Sequence, residues 1–199
     1  MKTTGWILGV IVVVAALAFA FTHTVSIETQ QQTATYQNTT YGYAVMYPLS
    51  LQTKEYTPED TVFGHIEGDT VDGVAEARVI TVEGQAGETL ETAITRELTN
   101  LCTADGPTGS FSCTGVESSE AFSTDAGGSG VKLYLHGEMT NFAAHATSSV
   151  LMGPYYVMLL RTSATASQAL VIHPPLNKKA AEADEPTIEA IAKSVTLAQ

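Results

Sequence analysis

The chain has 199 residues, of which 21 are Asp or Glu and 9 are Lys or Arg, so its formal net charge is −12. An acidic balance of this size repels phosphate groups, which argues against nucleic acids and anionic lipid surfaces as binding partners. The length suits one domain with a hydrophobic core of its own.

An apolar segment, Gly5–Phe21, follows the positively charged start of the chain and carries no polar side chain. Its length lies between that of a secretory signal and that of a membrane-spanning helix. The small-x-small pattern AFA at positions 18–20 suits a cleavage site, whereas Trp6 suits an interfacial anchor. Residues 1–21 are therefore predicted to be a hydrophobic helix, either a signal peptide or an uncleaved membrane anchor. Both alternatives place the rest of the chain outside the cytoplasm, secreted in the first case and held at the membrane in the second.

A polar segment, residues 22–34, follows and is rich in Thr and Gln. It has too few apolar side chains to contribute to a core, so we expect a flexible linker. Residues 35–199 are then predicted to form one extracytoplasmic domain.

The first strong strand signal of this domain is Tyr43–Tyr47. Successive side chains of a strand point to opposite faces, so Val45 lies on one face and Met46 on the other. Neither face carries a charge, so we expect a strand that is covered on both faces, with Val45 and Met46 in the core. Further strands are predicted at Gln52–Tyr56, Thr61–Ile66 and Val74–Gly84.

A helical pattern follows, because apolar residues in GETLETAITRELTNLC recur every three to four positions. Gly87 or Thr89 would start this helix. Cys102 falls in its last turn and Cys113 at the start of the next strand, with a turn-rich loop between them. Two cysteines that flank a short loop in an exported chain predict a disulfide, which would tie the end of the helix to the sheet.

Four more strands are predicted in the second half of the chain, and the sequences DAGGSG and MGP separate them as hairpin turns. They are Gly115–Ser123, Gly130–Met139, Ala143–Met152 and Tyr155–Ser163. The second of these alternates apolar and polar residues, so Lys132 is expected on a face exposed to solvent.

A polar, alanine-rich stretch leads to a last helix, with Asp184 as its N-cap and Pro186 in its first turn. A short strand is expected after this helix. Strands, a helix, antiparallel strands and a second helix in this order predict an α+β domain with a central, mostly antiparallel sheet.

The stretch YQNTTYGYAVMYP resembles the start of PsbP-like domains, where an aromatic-Gly-aromatic strand ends in Tyr-Pro. The resemblance covers roughly residues 35–197 and implies an α/β/α sandwich. It departs from the family at Leu49 and Leu51, where many relatives have a Trp soon after the Pro. The family is mostly exported, accessory or assembly-related and shares no catalytic constellation. The resemblance therefore implies an accessory domain without catalysis that binds or helps to assemble a partner in the cell envelope, and it carries over no site residues.

The alternative function is that of a metal-binding protein or a metal-dependent enzyme that uses a hairpin with His136, Glu138 and His145. His136 and Glu138 are two positions apart on one predicted strand and so lie on the same face, and His145 on the next strand could lie opposite them. Zinc sites use three or four such ligands, so this alternative depends on the register of the hairpin. No nucleophile with an adjacent base and no cofactor motif is found, so neither an enzyme nor a cofactor is expected.

Overall fold

The computed structural model describes residues 32–67, 70–71, 77–85, 87–162, 167–174 and 185–197. The predicted signal or anchor at residues 1–21, and the predicted linker as far as residue 31, lie outside the described residues and stay predictions. Among the described residues, no helix is both long and apolar enough to span a membrane.

The described residues form thirteen strands and two helices. The strands are β1 (Thr33–Asn38), β2 (Tyr43–Pro48), β3 (Gln52–Thr57), β4 (Asp60–Gly64), β5 (Ile66–Glu67), β6 (Thr70–Val71), β7 (Ala77–Glu83), β8 (Ala104–Gly106), β9 (Gly109–Ser123), β10 (Ser129–Asn141), β11 (Ala146–Thr162), β12 (Ser167–His173) and β13 (Thr196–Leu197). The helices are α1 (Leu90–Leu101) and α2 (Glu185–Lys193).

Eight of these strands form one large sheet in the order β3-β4-β7-β12-β11-β10-β9-β8, and every neighbouring pair in it is antiparallel. A separate antiparallel sheet has the order β1-β2-β13, and β5 pairs with β6. The predicted α+β class, with a mostly antiparallel sheet and two helices, is confirmed.

Helix α1 covers one face of the large sheet. The hydroxyl of Thr89 accepts a hydrogen bond from the backbone N–H of Thr92 at 3.2 Å, which caps the start of the helix. Ala93 and Leu98 are buried in a core cluster that includes Val171 of β12. The helix and its N-cap therefore agree with the sequence pattern.

Helix α2 covers the opposite face, where its residues Ile188 and Ile191 pack in a second core cluster with Leu170 and Ile172 of β12. Since successive side chains of a strand alternate, Leu170 and Ile172 face α2 whereas Val171 faces α1. All three are 0% exposed, so β12 is a central strand that is buried on both faces. The β1-β2-β13 sheet contributes to the second cluster, an addition that the predicted α/β/α sandwich did not include.

The prediction that Tyr43–Tyr47 is covered on both faces is wrong. Val45 is 0% exposed, as expected, but Met46 is 46% exposed. The physical reason is that β2 belongs to the small sheet, which packs one face on the core and leaves the other in solvent. The backbone of Met46 is held instead by Ser194, whose hydroxyl oxygen accepts a hydrogen bond from the Met46 N–H at 2.7 Å.

The predicted MGP turn is also wrong, because β11 runs through it without a break. The pairing of β10 and β11 shifts between Leu133 and Leu135, where β11 has one residue more than β10 and so forms a bulge around Gly153–Pro154. Gly153 has a φ of 139°, a conformation that favours glycine. Glycine and proline therefore mark a bulge inside a long strand rather than the end of one.

Four strands were not predicted: β1, β6, β8 and β12. The short strand β8 lies in the turn-rich loop that was predicted between the two cysteines. β12 lies in the stretch that was predicted to be an irregular connection, although its residues Ala169–Ile172 are all apolar. β1 begins at Thr33, inside the last two residues of the predicted linker.

Candidate functional site

The proposed metal ligands do not come together. His136 lies on β10, where its Nδ1 atom is 3.2 Å from a carboxylate oxygen of Glu117. Glu138 is opposite Ser149, whereas His145 lies in the turn before β11, four residues before Ser149 in the chain. At about 3.3 Å per residue this is roughly 13 Å, too far for a shared ion. Nowhere in the described part of the chain are three His, Cys, Asp or Glu side chains placed to hold a metal.

The predicted cysteine pair is at disulfide distance. Cys102 follows the last turn of α1 and Cys113 lies in β9, with their Cα atoms 5.5 Å apart and their sulfur atoms bonded. Both residues are buried under α1. The bond ties the end of α1 to the first part of β9.

Lys132 is not on an exposed face, which corrects the prediction from the alternating pattern. Its side chain is 14% exposed, because α2 lies over this face of β10 and presents Glu185 to it. The Lys132 ammonium donates a hydrogen bond to Glu185 at 2.6 Å, and the Tyr134 hydroxyl donates to the same oxygen at 2.8 Å. These two bonds hold the pKa of Glu185 below its ordinary value. Partial burial by itself lowers the pKa of Lys132, but the bond to Glu185 leaves that pKa raised.

An open cleft of about 460 Å³ lies along α2 beside this network and is lined by Glu185, Glu189 and Lys193, among others. Its carboxylates already have cationic partners, since Lys193 is 2.6 Å from Glu189. The cleft therefore offers no unpaired charge for a ligand.

His173, at the end of β12, is a fully buried ionisable side chain that sequence reasoning missed. Its Nδ1 atom lies 2.5 Å from the carbonyl oxygen of Pro174, and its ring stacks on Tyr155 with the centroids 5.6 Å apart. Neither its Nε2 atom nor the Tyr155 hydroxyl has a partner among the described residues. Burial lowers the pKa of His173 to about 4. The His173 side chain is therefore neutral at neutral pH and shielded from solvent, so we expect it to affect the stability of the core and not ligand binding.

The edge of the large sheet at β9 is an exposed feature of the described chain that another protein could bind. This strand has 15 residues, whereas β8, which pairs with its outer side, has 3. β8 reaches only as far as Phe111 in the register. In the described chain, nothing pairs with the outer side of β9 beyond that point.

Only part of this outer side is a regular strand. The pairing of β9 with β10 shifts twice and skips Thr114 and Glu117, so β9 bulges at both positions. From Ser118 to Ser123 the pairing continues without a shift. We call Ser118–Ser123 the free edge.

The free edge is exposed but firmly held. Its residues are exposed except Phe122, which is buried and makes an edge-on contact with Tyr156 at a centroid distance of 4.8 Å. Just after the edge, the Asp125 N–H donates to the Lys193 carbonyl of α2 at 2.8 Å.

The charge beside the free edge is negative. β9 contains two acidic residues, Glu117 and Glu120, and no Lys or Arg. Their side chains are 54% and 67% exposed. Glu117 lies 3.2 Å from the Nδ1 atom of His136, and Glu120 lies 3.8 Å from the ammonium of Lys132. Since His136 and Lys132 are an even number of positions apart on β10, both carboxylates lie on the same face of the sheet.

The comparisons with known proteins add a likeness of fold. No family model matches the chain, and no curated protein matches it. Cyanobacterial PsbP (CyanoP) from Synechocystis sp. PCC 6803, known from its solution structure, resembles it with a TM-score of 0.44 at 15% sequence identity. The match covers 87% of this chain and 95% of that chain. This finding agrees with the loose PsbP-like resemblance predicted from the sequence, and a likeness this distant assigns no function and no site residue to the chain.

Proposed function

We propose that the chain is a binding domain without catalysis that acts outside the cytoplasm and docks a protein partner on the free edge of β9. The observation that carries this proposal is the mismatch in length between β9 and β8, which leaves six regularly paired residues, five of them exposed, at one edge of an eight-stranded sheet. A sheet edge presents backbone N–H and C=O groups that an extended segment of another protein can bind.

Two features support a place outside the cytoplasm. The apolar segment at residues 1–21 would export the domain, either as a cleaved signal or as an anchor that keeps it at the membrane. The Cys102–Cys113 bond is a feature of chains that fold in an oxidising compartment. The partner would then be a protein of the cell envelope or the exterior.

Photo-crosslinking in the native membrane tests the proposal. A photoreactive residue replaces Ser119 on the free edge, Phe142 at the turn between β10 and β11, or Glu91 on the exposed side of α1. We expect a discrete crosslinked protein from position 119 and none from position 91, which serves as the matched control. If none of the three positions gives a discrete product, the chain is not a binding domain of this kind.

A further inference from the structure

We infer that the free edge takes up an extended, cationic segment of the partner as an added strand, antiparallel to β9. This inference rests on the proposed function and names the class of partner that the site would accept. Three observations support it: the position beside β9 that β8 fills only in part, the side chains along that position, and their charge.

The added strand would pair with the outer side of β9, where β8 pairs with it over only 3 residues. β8 runs antiparallel to β9, so an added strand that runs in the same direction as β8 is antiparallel to β9 as well. Six residues at about 3.3 Å each give roughly 20 Å, the length of an ordinary strand. The bulge at Glu117 limits the site at one end, and the turn after Ser123 limits it at the other.

The side chains of the free edge allow close approach. Ser118, Ser119, Ala121 and Ser123 are small and exposed, so they leave room for the larger side chains of a neighbouring strand. Phe122 points into the core and fixes the backbone, so the edge is formed before a partner arrives. A preformed edge lowers the ordering cost of binding, which then falls mainly on the partner segment.

Charge selects among the possible occupants. Glu120 lies within the free edge and Glu117 at its end, both on one face of the sheet, so Lys or Arg on that face of the added strand would lie beside them. A second copy of this chain would instead bring two more glutamates and a second net charge of −12. Repulsion between the copies disfavours such a dimer, so a cationic segment is the occupant that fits.

A peptide that alternates Lys and Val is the probe, added to the full chain in a mild detergent. We expect it to bind and to slow amide hydrogen exchange within Ser118–Ser123. Methylating every second backbone nitrogen of the peptide should weaken binding by about tenfold or more, because backbone hydrogen bonds are lost. A peptide with Glu in place of Lys should not bind.

Two matched variants separate an added strand from general attraction to an acidic protein. Glu120→Gln removes one charge at the free edge and should weaken binding of the Lys peptide by up to about fivefold. Glu138→Gln removes one exposed charge from the neighbouring strand β10 and should leave the affinity unchanged.

Three results would overturn the inference. They are equal binding of the methylated peptide, unchanged exchange of the free-edge amides, and a dimer of the chain that the peptide does not dissociate. The crosslinking experiment shows whether only the added strand is refuted or the proposed binding function as well. Crosslinks from Phe142 alone would refute the added strand and leave a binding domain, whereas their absence from every position would refute both.

Discussion

Acidification should destabilise the folded domain through His173. This side chain is fully buried, donates from Nδ1 to the Pro174 carbonyl and has no partner for Nε2 among the described residues. A second proton would place a charged N–H in the core with no acceptor among the described residues. The nearby guanidinium of Arg78 opposes a positive charge there, whereas Asp60 favours one. The folded domain therefore resists a proton that the unfolded chain accepts.

The size of the effect follows from the two pKa values. The ordinary pKa of 6.5 falls to about 4 in the folded domain, mainly through burial and against the hydrogen bond to Pro174. Between these values the unfolded chain binds more protons, so the free energy of unfolding decreases as the pH falls. At about 1.4 kcal/mol per pKa unit, the loss relative to neutral pH is about 2 kcal/mol at pH 5 and about 3 kcal/mol at pH 4.

Urea unfolding from pH 7 to pH 4 measures this loss, with His173→Gln as the comparison. The glutamine amide can still donate to the Pro174 carbonyl but takes up no proton in this range. The variant should therefore lose less stability than the native chain as the pH falls, whatever its stability at pH 7. Should a Gln variant fold too poorly, the NMR titration of the His173 ring gives the same answer in the native chain. Equal slopes for the two chains, or a ring that titrates near pH 6.5, would refute the reasoning.

The remaining predictions concern single contacts and use thermal or urea unfolding. Lys132→Met should lower the free energy of unfolding by about 1.5–3 kcal/mol, because it removes the charged donor to Glu185. Lys193→Met, at an exposed position of α2, should lower it much less, and equal losses would contradict the importance of the Lys132–Glu185 bond. Val45→Asp should lower the free energy of unfolding by several kcal/mol, since it buries an unpaired charge. Met46→Asp should change it by no more than about 0.5 kcal/mol, and similar losses for both variants would mean that both residues lie in the core. Reducing the disulfide, which spans a sequence separation of 11, should remove about 3 kcal/mol and lower the melting temperature by roughly 6–12 °C without unfolding the domain; no shift would mean that the bond is not formed.

Local patterns predicted the elements whose signals lie within a few residues. The spacing of apolar residues, with Thr89 as cap, located α1, and the positions of Cys102 and Cys113 around a short loop indicated their bond. β12 was missed because its four apolar residues lie among polar and small ones and are too few to show a period. Such a run becomes recognisable as a central strand only when its neighbours in the sheet are known.

The site depends on long-range order that no local pattern contains. Whether β9 is an edge depends on the sheet order and on how far the three-residue β8 extends along it. Lys132 was placed in solvent because alternation shows which residues share a face but not which element covers that face. Here α2, more than 50 residues further along the chain, covers it with Glu185. The same limit explains Met46, whose exposure depends on which sheet β2 joins.

The distribution of ion pairs connects the composition of the chain to the charge of its proposed partner. The chain has 9 Lys and Arg against 21 Asp and Glu, and several of these cations already contact carboxylates of the same domain. These pairs are Arg78–Asp60, Arg96–Glu88, Lys132–Glu185 and Lys193–Glu189. Cations in these ion pairs hold helices and strands together. Because carboxylates outnumber cations, the field around the domain is negative. A sheet edge within such a field repels other copies of the same chain, which protects an exposed strand from aggregation. The same field attracts a cationic segment, so one charge distribution serves both solubility and the choice of partner.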